Sequence, residues 1–67
     1  MGTILSQDGL YLIKPVYIEV HGDGCIFARA WEGGRGSVLL GKYPDRERAE
    51  DVLREIFQTE YYEMPLE

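Results

Sequence analysis

From residue 3 to residue 43 the apolar residues come in short runs, each broken by a cluster of Gly, Asp or Pro. Thr3–Ser6 is the first run, and Gln7-Asp8-Gly9 ends it. Asp-Gly between apolar runs predicts a type I′ hairpin, because Asp and Gly tolerate positive φ. Leu10–Lys14 is the second run, and Pro15, with no N–H to donate, marks an edge, a bulge or a strand start. In Val16–His21 the residues Val16, Ile18 and Val20 alternate with Tyr17, Glu19 and His21, the period of a half-buried strand. After the turn Gly22-Asp23-Gly24, Cys25–Glu32 sets Ile26, Ala28 and Ala30 against Cys25, Phe27, Arg29 and Trp31. Gly33-Gly34-Arg35-Gly36 reads as a hairpin loop, and Ser37–Tyr43 as the last strand before Pro44.

Beyond Pro44 the period changes. Ala49, Val52, Leu53, Ile56 and Phe57 form a single stripe at helical spacing, and Asp45 is placed to cap the first turn. Glu47, Glu50, Asp51, Arg54, Glu55 and Gln58 make the polar face, with Glu50 and Arg54 spaced for an i,i+4 pair. The tail alternates Tyr62, Met64 and Leu66 with Tyr61, Glu63 and Pro65, which predicts an extended arm on the sheet or on a neighbouring subunit. The expected fold is α+β: an antiparallel β-meander of four to five strands within 3–43, one C-terminal amphipathic helix over about 45–58 on one face, and an extended tail over 59–67. All of it forms a single domain, 1–67.

Composition narrows the function classes. At 67 residues the chain buries only about 60% of its unfolded surface. One cysteine and one histidine provide neither a disulfide nor a metal cluster. A lone thiol and no leader segment point to a reducing cytoplasm, and no apolar run approaches the ~20 residues of a membrane helix. Large apolar groups on both faces of the central strands, with one helix to cover them, predict a homo-oligomer, dimer or tetramer. The net charge is −5, carried by residues 47–67, whereas residues 1–46 are balanced. Long nucleic acid is disfavoured, since phosphate-backbone affinity needs a basic stripe.

The chemistry available is that of binding. His21 belongs to a turn, Cys25 reads as an inert thiol, and no catalytic set, metal site or cofactor motif can be assembled. On the second face of the central strands, Arg29 lies between Phe27 and Trp31. An arginine among aromatics can pair with phosphate and stack a base, or it can form an oligomer face. The ligand-binding candidates are Arg29, Trp31, Arg35, Tyr17 and Lys42. The acidic helix face, or an exposed sheet edge, supports the alternative of a small acidic protein that binds and regulates a host protein.

Four segments in order carry a resemblance: Ile4-Leu5-Ser6-Gln7-Asp8-Gly9, Leu40-Gly41-Lys42-Tyr43, Glu47-Arg48-Ala49-Glu50-Asp51-Val52-Leu53 and Met64-Pro65. Together they resemble a family of very small phage and prophage proteins of Gram-positive hosts. Within it the chain is similar to the anti-CBASS sponges, which sequester the cyclic nucleotide signals of anti-phage defence. The resemblance implies a non-enzymatic protein that binds a cyclic dinucleotide-type ligand. No binding residue transfers by motif, so the candidates remain those read from the sheet face.

Overall fold

A computed structural model describes residues 2–29 and 37–66. The strands are β1 (Thr3–Leu5), β2 (Leu12–Ile13), β3 (Tyr17–Val20), β4 (Cys25–Arg29), β5 (Val38–Lys42) and β6 (Tyr61–Glu63), and the helix is α1 (Arg46–Ile56). The architecture is the expected small α+β one, with a helix following a run of strands. The strands divide into two sheets of three, ordered β2-β1-β6 and β3-β4-β5. All pairings are antiparallel except β1 with β6, which is parallel. The tail is thus a strand of its own chain's sheet, with Ile4 opposite Tyr62. The loop at Gly33–Gly36 and the strand end at 30–32 lie outside the described residues.

Burial follows the alternation. Ile26 and Ala28 of β4 are buried, and Ile18 and Val20 of β3 pack beside them. Ile4, Leu40, Tyr43, Ala49, Val52, Ile56 and Met64 complete one cluster, so both sheets and the helix share a core. α1 lies against β3 and β4. Asp45 caps it through a 2.8 Å bond from the Arg48 N–H. Phe57, the last member of the apolar stripe, departs from expectation and is 62% exposed. The helix closes at this residue, and the Gln58 and Thr59 N–H groups bond Glu55 and Ile56 as the chain turns towards β1. The Glu50–Arg54 pair does not form either. Arg46 takes Glu50 at 3.3 Å, and Arg54 bonds Asp51 one turn back.

Both Asp-Gly turns use one device, and at Asp8-Gly9 it is not the type I′ turn expected. The Gly9 N–H bonds the Ser6 carbonyl, and the Gly24 N–H bonds the His21 carbonyl. In each turn the aspartate accepts the N–H two residues on, Leu10 for Asp8 and Cys25 for Asp23. These bonds hold both carboxyls below their ordinary range; for Asp8 the Ser6 hydroxyl is the larger influence. Only the glycines take positive φ, 75° at Gly9 and 93° at Gly24. The aspartates stay at negative φ because their side chains already occupy the local donors.

The sheets meet at Gln7. Its N–H donates to the Leu40 carbonyl at 2.6 Å, and its Oε1 accepts the Lys42 N–H at 2.9 Å. Its Nε2 faces three carbonyls: Lys42 at 3.3 Å, Pro65 at 3.1 Å and Leu66 at 2.8 Å. One residue after β1 therefore covers the outer edge of β5 and grips the tail. Two further bonds close the same seam, from the Tyr43 hydroxyl to Pro65 at 2.8 Å and from the Met64 N–H to Leu5 at 3.0 Å. Burial pushes the Tyr43 phenol up to about 12, so it remains a donor throughout the neutral range. Along β5 a bulge lets Leu40 and Gly41 both turn inward, which leaves Leu39 and Lys42 on the outer face.

The two turn glycines separate backbone strain from steric need. A Cβ at Gly9 meets nothing within 4 Å, whereas one at Gly24 lies 2.3 Å from the Tyr43 carbonyl. Gly9→Ala should cost about 1–2 kcal/mol, the left-handed penalty alone. Gly24→Ala should cost clearly more, because the backbone carbonyls of Tyr43 and Asp45 must also be pushed away. Denaturant unfolding of both variants measures the difference, and equal losses would contradict it.

Candidate functional site

The β3-β4-β5 sheet buries one face and leaves the other uncovered by any described element. Pairing of β3 with β4 sets Tyr17 opposite Arg29 and Glu19 opposite Phe27. Pairing of β4 with β5 sets Phe27 opposite Leu39 and Cys25 opposite Lys42. Beyond β3, the His21 N–H bonds the Cys25 carbonyl. The outer face therefore has three rows: His21, Cys25 and Lys42; Glu19, Phe27 and Leu39; and Tyr17 with Arg29. Its middle row sets the Glu19 carboxylate beside the apolar Phe27 and Leu39, and a cation stands at each end. Arg29 and Lys42 are separated by four residues of strand, roughly 13 Å.

Of the sequence candidates, Tyr17 and Arg29 come together. The Arg29 guanidinium carbon lies 5.6 Å from the centre of the Tyr17 ring, within cation–π range. Lys42 is exposed on the same face but at the far end. Trp31 and Arg35 lie outside the described residues. Arg29 has one further property. Its Nε is shielded from solvent and has no hydrogen-bond partner among the described residues. Such a donor costs about 1–3 kcal/mol if left unpaired, and the half-buried guanidinium that carries it is a fork of donors suited to an anionic oxygen.

Neighbouring side chains tune the face. His21 Nε2 lies 3.1 Å from Glu19 Oε2, and the His21 ring tilts over Phe27 at 4.7 Å. Hydrogen bonds from His21 and then Tyr17 hold the Glu19 carboxyl below its usual range. Desolvation, followed by the nearby Glu19, raises the Tyr17 phenol, while Arg29 pulls it down. Desolvation and Asp23 raise the Cys25 thiol above its ordinary value. The site thus offers a stacking ring, an unsatisfied guanidinium donor and an apolar floor, with no activated nucleophile among them.

The ligand-binding candidates did not include Phe27, His21, Glu19 or Leu39, although alternation sets Phe27 beside Arg29 and sets Glu19 and His21 beside Tyr17. Counting outward from Gly22-Asp23-Gly24 gives the Tyr17–Arg29 pairing, and alternation then adds Glu19 and Phe27. Leu39 depends on the bulge in β5, which no local signal announces. Among the described residues, no three His, Cys, Asp or Glu side chains are grouped to hold a metal ion, and no helix is long and apolar enough to cross a membrane.

The Arg29–Tyr17 contact is testable without a ligand. Arg29→Met keeps the apolar stem and removes the charge that pulls the Tyr17 phenol down. NMR titration of the Tyr17 ring should show deprotonation at higher pH in the variant, and an unchanged or lower value would refute the contact.

Comparison of the chain with family models, with curated proteins and with solved structures gives no match in any of the three, so the residues of this face carry the functional reading.

Proposed function

We propose that this chain is a non-enzymatic binding protein that sequesters a cyclic oligonucleotide immune signal on the outer face of the β3-β4-β5 sheet, as an anti-defence sponge. The observation that carries the reading is Arg29, whose shielded Nε has no described partner while its guanidinium covers Tyr17. A cyclic oligonucleotide has several phosphates and several flat bases. Arg29 at one end and Lys42 at the other match separated anions, and Tyr17 and Phe27 match bases. Trp31 and Arg35, which follow β4 in the chain, complete the proposed set. Glu19 lies on the same face, and its bond to His21 engages its charge. A sponge needs affinity and no turnover, which suits a face without an activated nucleophile. The protein works in the host cytoplasm as a homo-oligomer.

The alternative of a host-protein binder working through the acidic helix has less support. Glu50, Asp51 and Glu55 face Arg46, Arg54 and Arg48, so much of the helix charge is compensated within the chain.

Thermal unfolding against a panel of cyclic di- and trinucleotides and their mononucleotides tests the reading. A ligand specific for the folded state at a hundred times its Kd contributes about 2.7 kcal/mol, which raises the Tm of so small a domain by roughly 10 °C or more. The expected result is such a shift with a cyclic member, the ligand recovered uncleaved, and loss of the shift in Arg29→Ala. No shift with any member, or a shift that survives Arg29→Ala, would overturn the proposal.

A further inference from the structure

The other sheet also has a face that no described element covers. Ile4, Ile13 and Tyr62 point into the core from β1, β2 and β6. By alternation, Thr3, Leu5, Leu12, Tyr61 and Glu63 point away from it. Register sets Leu5 between Leu12 and Glu63 in one row, and Thr3 beside Tyr61 in the next. Continuing the β1–β2 register by one residue sets Lys14, which is exposed, opposite Thr3 and on the Leu12 face. The result is a grid of two rows: Leu12, Leu5, Glu63 and Lys14, Thr3, Tyr61. Leu12 is 62% exposed and Tyr61 50%, and Leu10 at the hairpin end is 77% exposed. The Tyr61 hydroxyl reaches Glu63 Oε1 at 3.4 Å, so both side chains share this face.

The acid and the base occupy opposite corners of this grid, and Leu12 and Tyr61 occupy the other two. We infer that this face is a self-complementary interface for a second copy of the chain, related by a two-fold axis along the Leu12–Tyr61 diagonal. When two copies meet face to face, such an axis lies in the interface plane and exchanges the corners on either side of it. Each Glu63 then meets the partner copy's Lys14, each Lys14 meets the partner copy's Glu63, and Leu12 and Tyr61 each meet their own equivalents. Leu5 falls beside the partner copy's Thr3. An axis along the strands would instead set Leu12 on Glu63, and one across them would set Leu12 on Lys14. Only the diagonal pairs apolar with apolar and acid with base. The partner is a second copy because the charge pattern complements itself. The surface lies on the other sheet from the Arg29–Tyr17 face, so it supplies an oligomer without covering that site.

Sedimentation equilibrium of the full chain and of charge variants tests the inference independently of any ligand. Wild type should associate to a dimer. Lys14→Glu and Glu63→Lys each turn both attractive corners into repulsive ones and should raise the dimer Kd by roughly tenfold or more. Mixing the two variants makes both corners attractive again and should restore association as a heterodimer. The double variant K14E/E63K, which swaps the charges within one chain, should self-associate like wild type. Circular dichroism of each variant verifies the fold, and Leu12→Arg, on the axis, should dissociate the dimer without a rescuing mate. A monomeric wild type, single variants that associate as wild type does, or a mixture that stays as weak as its components would each overturn the inference.

Discussion

The seam between the two sheets of this protein centres on Gln7. A small antiparallel sheet has an open edge, and an open edge invites pairing with other chains. Here the outer edge of β5 is occupied by one side chain and its own backbone. Gln7 accepts from the Lys42 N–H, donates to the Lys42 carbonyl and, through its N–H, bonds Leu40. The same amide holds the carbonyls of Pro65 and Leu66. A carboxylate here would lose every side-chain donation and repel the carbonyls, while a lysine would lose the acceptor. Only an amide of this length serves both edge and tail. The core below depends on this closure, because Met64 and Tyr62 enter it from the tail and Ile4 from the strand just before Gln7.

The same constraint joins three segments that are separated along the chain. Ser6-Gln7-Asp8-Gly9, Leu40-Gly41-Lys42-Tyr43 and Met64-Pro65 are far apart in sequence and adjacent in space. Gln7 spans them, and Tyr43 bonds Pro65 across the same junction. They are parts of one hydrogen-bonded seam. They close the chain, and the residues of the candidate face lie elsewhere, on β3, β4 and β5.

Local periodicity made much of the fold legible. The alternation matches burial residue by residue in Cys25–Arg29 and from Tyr17 to His21, whereas Val16, which precedes β3, is exposed; Asp45 caps the helix as its position suggested. What stayed hidden was long-range. Division into two sheets depends on where β1 and β5 fail to pair, and the tail joins β1 in parallel from 58 residues away, where no turn chemistry records the pairing. Phe57 continued the apolar stripe in sequence but fell where the helix stops. Glu50 pairs with Arg46 and Arg54 with Asp51, because one helix surface offers each charge more than one partner three or four residues away. At the candidate site the hairpin register contains the Tyr17–Arg29 pair, whereas the inclusion of Leu39 awaits a bulge. The two sheet faces that no described element covers differ in character: one has separated cations flanking Glu19, Phe27 and Leu39, and the other sets Glu63 beside Leu5 and Tyr61.

Hydrogen exchange of a Gln7→Ala variant tests the central claim most directly. If this side chain joins the edge of β5 to the tail, the Lys42 amide loses its acceptor, and the amides of Tyr61–Met64 should lose protection with it, while those of β4 and the middle of α1 stay close to wild type. The stability lost should be about 2 kcal/mol, the net worth of two or so hydrogen bonds. Unchanged protection at Lys42 and along β6 would show that the seam closes without Gln7, and would contradict the account.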